Sequence, residues 1–155
     1  MIHLDSLKQF RLFRRLTLNA LSEVNEENLD VQPKGHPNTV RWNAGHLYIA
    51  AEFLMNKADR DYVVKRPEWA TFFAPGTRPS DWETDPPAIQ DIILALEEQR
   101  DRIPEHFSGK LSNPASEAFV IGSYNMNTVD SLVNFILYHE GIHCGIIKAL
   151  NNTSK

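Results

Sequence analysis

Two histidines sit where a helix would ordinarily be apolar. From Asn127 to Leu150 the chain carries Leu132, Ile136, His139, His143, Ile146 and Leu150 at alternating steps of four and three, the spacing that keeps side chains on one stripe of a helix. His139 and His143 are one turn apart on the same side. An imidazole facing an apolar core must have its nitrogens satisfied, because burying an unpaired polar group costs free energy, and no carboxylate shares this seam. A divalent cation would satisfy both rings. A second seam supplies a third imidazole: between Val40 and Asn56, the residues Trp42, His46, Ile49 and Phe53 step by four, three and four.

Helices of one bundle can bring an i, i+4 pair and a single side chain to a common point. Three neutral imidazoles that leave a position open make a catalytic type of metal centre, whereas structural zinc sites close all four. The candidate ligands are therefore His46, His139 and His143, and nickel, zinc or iron(II) would each suit them. Asn43, one turn before His46, is placed either to hydrogen-bond a ligand or bound water or to make an ordinary polar contact. Glu140 lies one residue round from the seam, where it either supports the site or is a solvated carboxylate. Imidazoles bind metal only when deprotonated, so affinity is expected to fall with acidity around the reference histidine pKa of ~6.5.

The rest of the chain reads as helices joined by loops. Leu4, Leu7, Phe10, Phe13 or Arg14, Leu16, Leu21 and Val24 follow helical spacing, which places Arg11, Arg14 and Arg15 on the wet side. Residues 26–37, with Pro33, Gly35 and Pro37, form a loop, and Asn38 or Thr39 caps the second helix. Residues 57–85 hold no sustained period; Pro67 opens a short helix through Phe73, and Trp69, Phe72, Phe73 and Trp82 either cap the bundle or wall a pocket over the metal. Asp85 and Pro86 give the N-cap and first position of a third helix, with Ile89, Ile92, Ile93, Leu96, Gln99 and Ile103 inward and a break or kink at Pro104. Residues 108–125 read as loop, the run from Ala118 to Ile121 being either a short extended piece or packing under the bundle. Thr128 caps the last helix, with Asp130 in its first turn, where the helix dipole favours negative charge. Four helices without convincing strand alternation predict an all-α four-helix bundle, one domain over residues 1–155. His3, His36 and His106 fall at an end, in a loop and past Pro104, and are left outside the site.

Residues 139–143 spell His-Glu-Gly-Ile-His, the H-E-x-x-H of zinc peptidases. No His, Asp or Glu follows His143 to supply a downstream ligand, and Ile146 stands where the metzincin extension requires glycine. Glu140-Gly-Ile-His143 also matches the Glu-x-x-His of di-iron bundles, yet no other histidine is preceded by such a glutamate. Cys144 points about 100° round the helix from His143 and is better suited to a buried, inert thiol than to a fourth ligand. Gly141 and Gly145, each costing about 1 kcal/mol against alanine inside a helix, allow another helix to approach closely, across a homodimer interface for example.

Net charge of −4 among 155 residues, with no Lys/Arg cluster, argues against a nucleic-acid partner. The apolar runs are too short for a membrane span. A lone cysteine and the absence of a signal-peptide pattern at the start suit a reducing cytoplasm.

The combination of Trp42-Asn-Ala-Gly-His46-Leu early in the second helix with His139-x-x-x-His143-x-Gly145 in the last resembles the DinB/YfiT-like superfamily, over essentially the whole chain. The resemblance implies a four-helix bundle with a three-histidine metal site, carried here by His46, His139 and His143. Many relatives have glutamine after the glycine of the last motif, where this chain has Ile146. Relatives include thiol-dependent S-transferases, an isomerase and metal-dependent hydrolases. The expectation is a mononuclear metalloenzyme acting on a small-molecule substrate, a low-molecular-weight thiol among the candidates. The alternative is a non-catalytic helical dimer that binds metal or a small ligand.

Overall fold

The computed structural model describes residues 4–153. Four long helices, α1 (Ser6–Ser22), α2 (Val40–Ala58), α4 (Ile89–Phe107) and α5 (Val129–Thr153), account for most of it, with a short α3 (Ala70–Phe73) between α2 and α4. α1 and α2 each pack against both α4 and α5. Local chemistry sets the helix starts: the Asp5 side chain accepts from Lys8 N, Thr39 Oγ1 from Trp42 N, and Thr128 Oγ1 from Ser131 N, each quenching a backbone donor that the first turn leaves unpaired.

The strictly all-α expectation is corrected by a β-hairpin. Strands β1 (Pro114–Ile121) and β2 (Tyr124–Thr128) pair antiparallel, with Phe119 opposite Met126 and Ile121 opposite Tyr124. The two-residue connection Gly122-Ser123 takes a positive φ at Gly122 of 58°, which glycine adopts without a Cβ penalty. Phe119 and Met126 pack against the cluster that holds Phe10, Ile103, Phe107 and Leu132, while Val120 and Tyr124 stay exposed. Two further expectations change. α4 begins at Ile89, after Pro86 and Pro87, because a residue that precedes proline is pushed out of the helical region. At its other end α4 continues through Pro104 to Phe107, held there by the burial of Ile103, Pro104 and Phe107.

The core has two apolar parts. One, toward the α2 N-terminus, holds Trp42, Leu47, Phe73, Ile92, Leu96 and Ile147; the other holds Phe10, Met55, Tyr62, Ile103, Phe107 and Leu132. Every long helix places a buried polar side chain between them: Arg14 and Thr17 on α1, Glu52 on α2, Gln99 on α4 and Glu140 on α5. Arg14, expected in solvent, is fully buried, and the α1 seam runs Leu7, Phe10, Arg14, Thr17 and Leu21 while Leu16 is 46% exposed.

These groups form one connected network. Arg14 grips Glu140 with two bonds of 2.9 and 3.0 Å, and Thr17 Oγ1 donates to the same carboxylate at 2.7 Å. Arg14 also donates to Gln99 Oε1 at 2.8 Å, and Gln99 Nε2 donates to Glu52 Oε2 at 2.8 Å. Glu52 accepts in addition from the Tyr62 hydroxyl, Lys65 N and Arg102. Two carboxylates and two guanidiniums balance, which is what makes such burial tolerable.

Removing one partner leaves a buried charge alone, so Arg14→Leu is expected to lower unfolding free energy by about 3–5 kcal/mol. The double variant Arg14→Leu/Glu140→Leu should recover a large part of that loss in urea denaturation. A double variant no more stable than the single one would contradict the pairing.

Candidate metal centre

The three sequence-predicted histidines meet between α2 and α5. Their ligand-capable nitrogens lie within 4.8 Å of one another, and His46 Nε2 is 3.0 Å from His139 Nε2. The ring centroids of all three pairs are 4.4–4.9 Å apart. His46 is buried, and His139 and His143 are half-buried.

Hydrogen bonding fixes which nitrogen two of the rings present. His46 Nδ1 lies 2.7 Å from the carbonyl oxygen of Phe73. A carbonyl only accepts, so Nδ1 carries the proton and Nε2 keeps its lone pair. His143 Nδ1 lies 2.7 Å from Asn43 Oδ1, and the other end of that amide donates from Nδ2 to the Thr39 carbonyl at 2.8 Å. The amide orientation thus forces His143 Nδ1 to donate, again leaving Nε2 bare. Asn43 thus hydrogen-bonds one of the three histidines from its place on α2. The short contact between His46 and His139 requires something between two nitrogens, either a proton on His139 or a shared cation. Outer hydrogen bonds of this kind, to a carbonyl or an amide oxygen, are what orient histidines on metals.

The local sequence explains how Phe73 reaches the site. Gly45 directly precedes His46, and a Cβ there would lie within 2.5 Å of the Phe73 ring. Phe73 is fully buried on that glycine, at the end of α3, which brings its carbonyl over the imidazole. Trp42 stacks on one face of His46, with ring centroids 4.6 Å apart and planes 10° from parallel, and is anchored by a 2.9 Å bond from Nε1 to Thr77 Oγ1. The aromatics of residues 57–85 accordingly act as a packed cap, Trp69, Phe72, Phe73 and Trp82 contacting one another edge-on or tilted.

Glu140 is not solvated and makes no hydrogen bond to the imidazoles; it is 2% exposed and committed to Arg14 and Thr17. This removes the base that a peptidase of the H-E-x-x-H type needs, and the carboxylate that a di-iron site needs. Cys144 is half-buried and packs with the part of the core toward the α2 N-terminus, outside the histidine cluster. His106 pairs with Asp59 at 2.8 Å, far along α4. His36 lies in the loop before α2, and His3 lies outside the described residues.

A cleft of about 330 Å³ opens beside the rings, lined by His46 and His139 together with Ile49, Ala50, Phe53, Leu54, Ala74, Pro75, Phe119 and Phe135. Sequence reasoning placed Phe53 in the core, but it is 42% exposed and forms one wall. Phe119, from the unforeseen hairpin, forms another, its ring tilted 60° against that of Phe135 with centroids 5.1 Å apart.

The chain is thus mostly helical, with three imidazoles close enough together to hold a metal ion. The sequence profile of the DinB superfamily matches residues 9–147, and the chain belongs to that superfamily. No individually curated protein gives a match. Among the described residues, no helix is long and apolar enough to cross a membrane.

Burial holds all three imidazoles neutral. It lowers His46, against the partly offsetting bond to Phe73; it brings His139 to about 4, aided by repulsion from His46; and it brings His143 to about 3, aided by His139 and His46. Between pH 6.5 and about 4 the unfolded chain takes up protons that these folded rings refuse, so the metal-free protein should lose stability as pH falls through that window and be level above it. Denaturation of wild type and of His139→Ala/His143→Ala at pH 5 and pH 7 checks this: the wild type should show the steeper loss. The same shifts move the expected fall in metal affinity well below pH 6.5. Separately, Gly45→Ala should destabilise the fold by about 1–3 kcal/mol through overpacking against Phe73, measurable as a lowered denaturation midpoint.

Proposed function

We propose that this protein is a mononuclear metal-dependent enzyme of the DinB type, a four-helix bundle in which His46, His139 and His143 hold one divalent transition metal. The observation that carries this reading is the pair of hydrogen bonds from His46 Nδ1 to Phe73 O and from His143 Nδ1 to Asn43 Oδ1, which direct the remaining nitrogens to one point beside a cleft. Nickel, zinc and iron(II) all suit the donor set. When bound, the metal would supply Lewis acidity, lowering the pKa of a coordinated water or of a thiol.

The chain's own contribution is positioning and exclusion. Asn43 and the Phe73 carbonyl hold the ring orientations, and Trp42 covers one face of His46. The cleft beside the rings is walled by apolar side chains, which offer water no hydrogen-bond partner away from the imidazoles. With Glu140 tied to Arg14, any proton acceptor is the coordinated group itself or the substrate. Hydrolysis of a small ester or amide and transfer from a low-molecular-weight thiol both fit this arrangement. The reducing cytoplasm is the setting that a lone cysteine and a thiol co-substrate suit.

A second reading, a non-catalytic metal- or ligand-binding dimer, draws support from two observations. Among the described residues, the cluster able to hold a metal contains no carboxylate. On α5, a methyl group added at Gly141 or Gly145 would meet nothing within 4 Å beyond its own stretch of helix, and exposed Tyr138 and Ile142 lie on the same face, as suits a homodimer.

Elemental analysis after loading with nickel, zinc or iron(II) separates these ideas. One equivalent in wild type, lost in His46→Ala and in His139→Ala, is expected. Turnover of thioethers or esters that disappears in the same variants favours the enzyme, whereas stoichiometric metal without turnover favours the binding protein. Retention of a full equivalent by both variants would remove the three-histidine assignment.

A further inference from the structure

The cleft beside His46 and His139 carries information about what the centre accepts, an inference that rests on the metal-centre reading above. Its lining outside the two imidazoles comprises Ile49, Ala50, Phe53, Leu54, Phe119 and Phe135, with Ala74 and Pro75 at the edge. None of these side chains bears a charge or a hydrogen-bond donor. At about 330 Å³ it stands at the small end of the range for small-molecule sites, ~300–1,000 Å³.

An anionic or ammonium group placed against this lining would lose its hydration and find no partner, which is strongly unfavourable. Water in the cleft finds hydrogen-bond partners only at the imidazole end and is readily displaced by an apolar group. The aromatic walls come from three separate elements, α2, β1 and α5, so a flat or branched hydrocarbon group touches all of them at once. Phe53 is 42% exposed, an apolar surface that such a group would cover.

We propose that the substrate of this centre has an uncharged apolar arm, aryl or branched alkyl in size, which occupies the cleft between α2 and the hairpin while its reactive polar end faces the imidazoles. Charged portions of the substrate, where it has them, lie outside this cleft. Phe53, Phe119 and Phe135 are then specificity-determining residues.

The test compares three thiols as ligands of the cobalt(II)-loaded protein, read by the thiolate-to-metal absorption band: phenylmethanethiol, 2-mercaptoethanol and mercaptoacetate. All three bind through a thiol sulfur and differ in what they would place in the cleft; the oxygens of the latter two can also reach the metal, which works against the expected order. Phenylmethanethiol should bind at least about tenfold more tightly than either of the others, as burial of a phenyl group predicts. Ala50→Phe, which fills the cleft, should abolish that preference with metal stoichiometry unchanged. Phe53→Lys, at a half-exposed position that tolerates polarity, should shift the preference toward mercaptoacetate and covers the case in which Ala50→Phe fails to fold. Equal affinity for the three thiols in wild type, or a preference that survives both variants, overturns the proposal. If the protein takes up no metal, the metal-centre reading fails by itself. The cleft is then probed in the metal-free protein by adding toluene and following the methyl resonances of Ile49 and Leu54: shifts confined to cleft residues support the apolar arm, and their absence overturns it.

Discussion

The buried grip of Arg14 on Glu140 is the interaction that the rest of the structure depends on. Glu140 is the neighbour of His139 on α5, about 100° round the helix. Fixing its carboxylate against α1 with two guanidinium bonds and the Thr17 hydroxyl sets the rotation of α5, and that rotation turns His139 and His143 toward α2. The same guanidinium reaches α4 through Gln99, whose amide reaches Glu52 and the Tyr48 carbonyl on α2. A single polar layer therefore registers four helices against one another, a job that directional bonds do better than interchangeable apolar contacts. Such layers stabilise little compared with a well-packed apolar core; their effect is to penalise every other arrangement.

Within that frame the imidazoles are held by a second set of bonds that say nothing about stability and much about chemistry. A carbonyl at Phe73 and an amide oxygen at Asn43 each select one tautomer. Burial lowers all three rings, and repulsion from neighbouring imidazoles adds to it for His139 and His143, which stay neutral well below the ordinary histidine range. A centre of this kind is ready to receive a cation without first releasing protons at neutral pH.

Much of this was legible in the chain. The four-three stepping through His139 and His143, and the matching seam through Trp42 and His46, located the three rings because helical periodicity converts spacing directly into direction. The capping residues Thr39 and Thr128 and the short helix opened by Pro67 were legible for the same local reasons. Arg14 was not, because a charged residue is assigned to solvent unless its partner is known, and the partner lies 126 positions away. Its seam did hold a signal: Leu7, Phe10, Arg14, Thr17 and Leu21 step by three and four just as the histidine seam does, and Gln99 was already inward on α4. Residues 118–121 were readable as a short extended piece, but their pairing with β2 was missed because the alternation is short and few hairpin residues, Ala115, Phe119 and Met126 among them, pack on the core; the Gly122-Ser123 pair was the available cue. Phe73 was assigned by its ring, whereas its carbonyl is what the site uses, and no side-chain pattern reports on a carbonyl.

One consequence of the Gly45 contact reaches beyond packing. Because the methyl-free position lets an aromatic side chain from a distant connection settle on α2, the segment from Pro67 to Thr77 is tied to the imidazole through its own main chain. Changes in length or composition of that connection would be felt as a change in the electronic state of a ring, since the acceptor that holds its proton belongs to the loop. Divergence among related chains in this stretch would thereby tune basicity at the centre without touching any histidine.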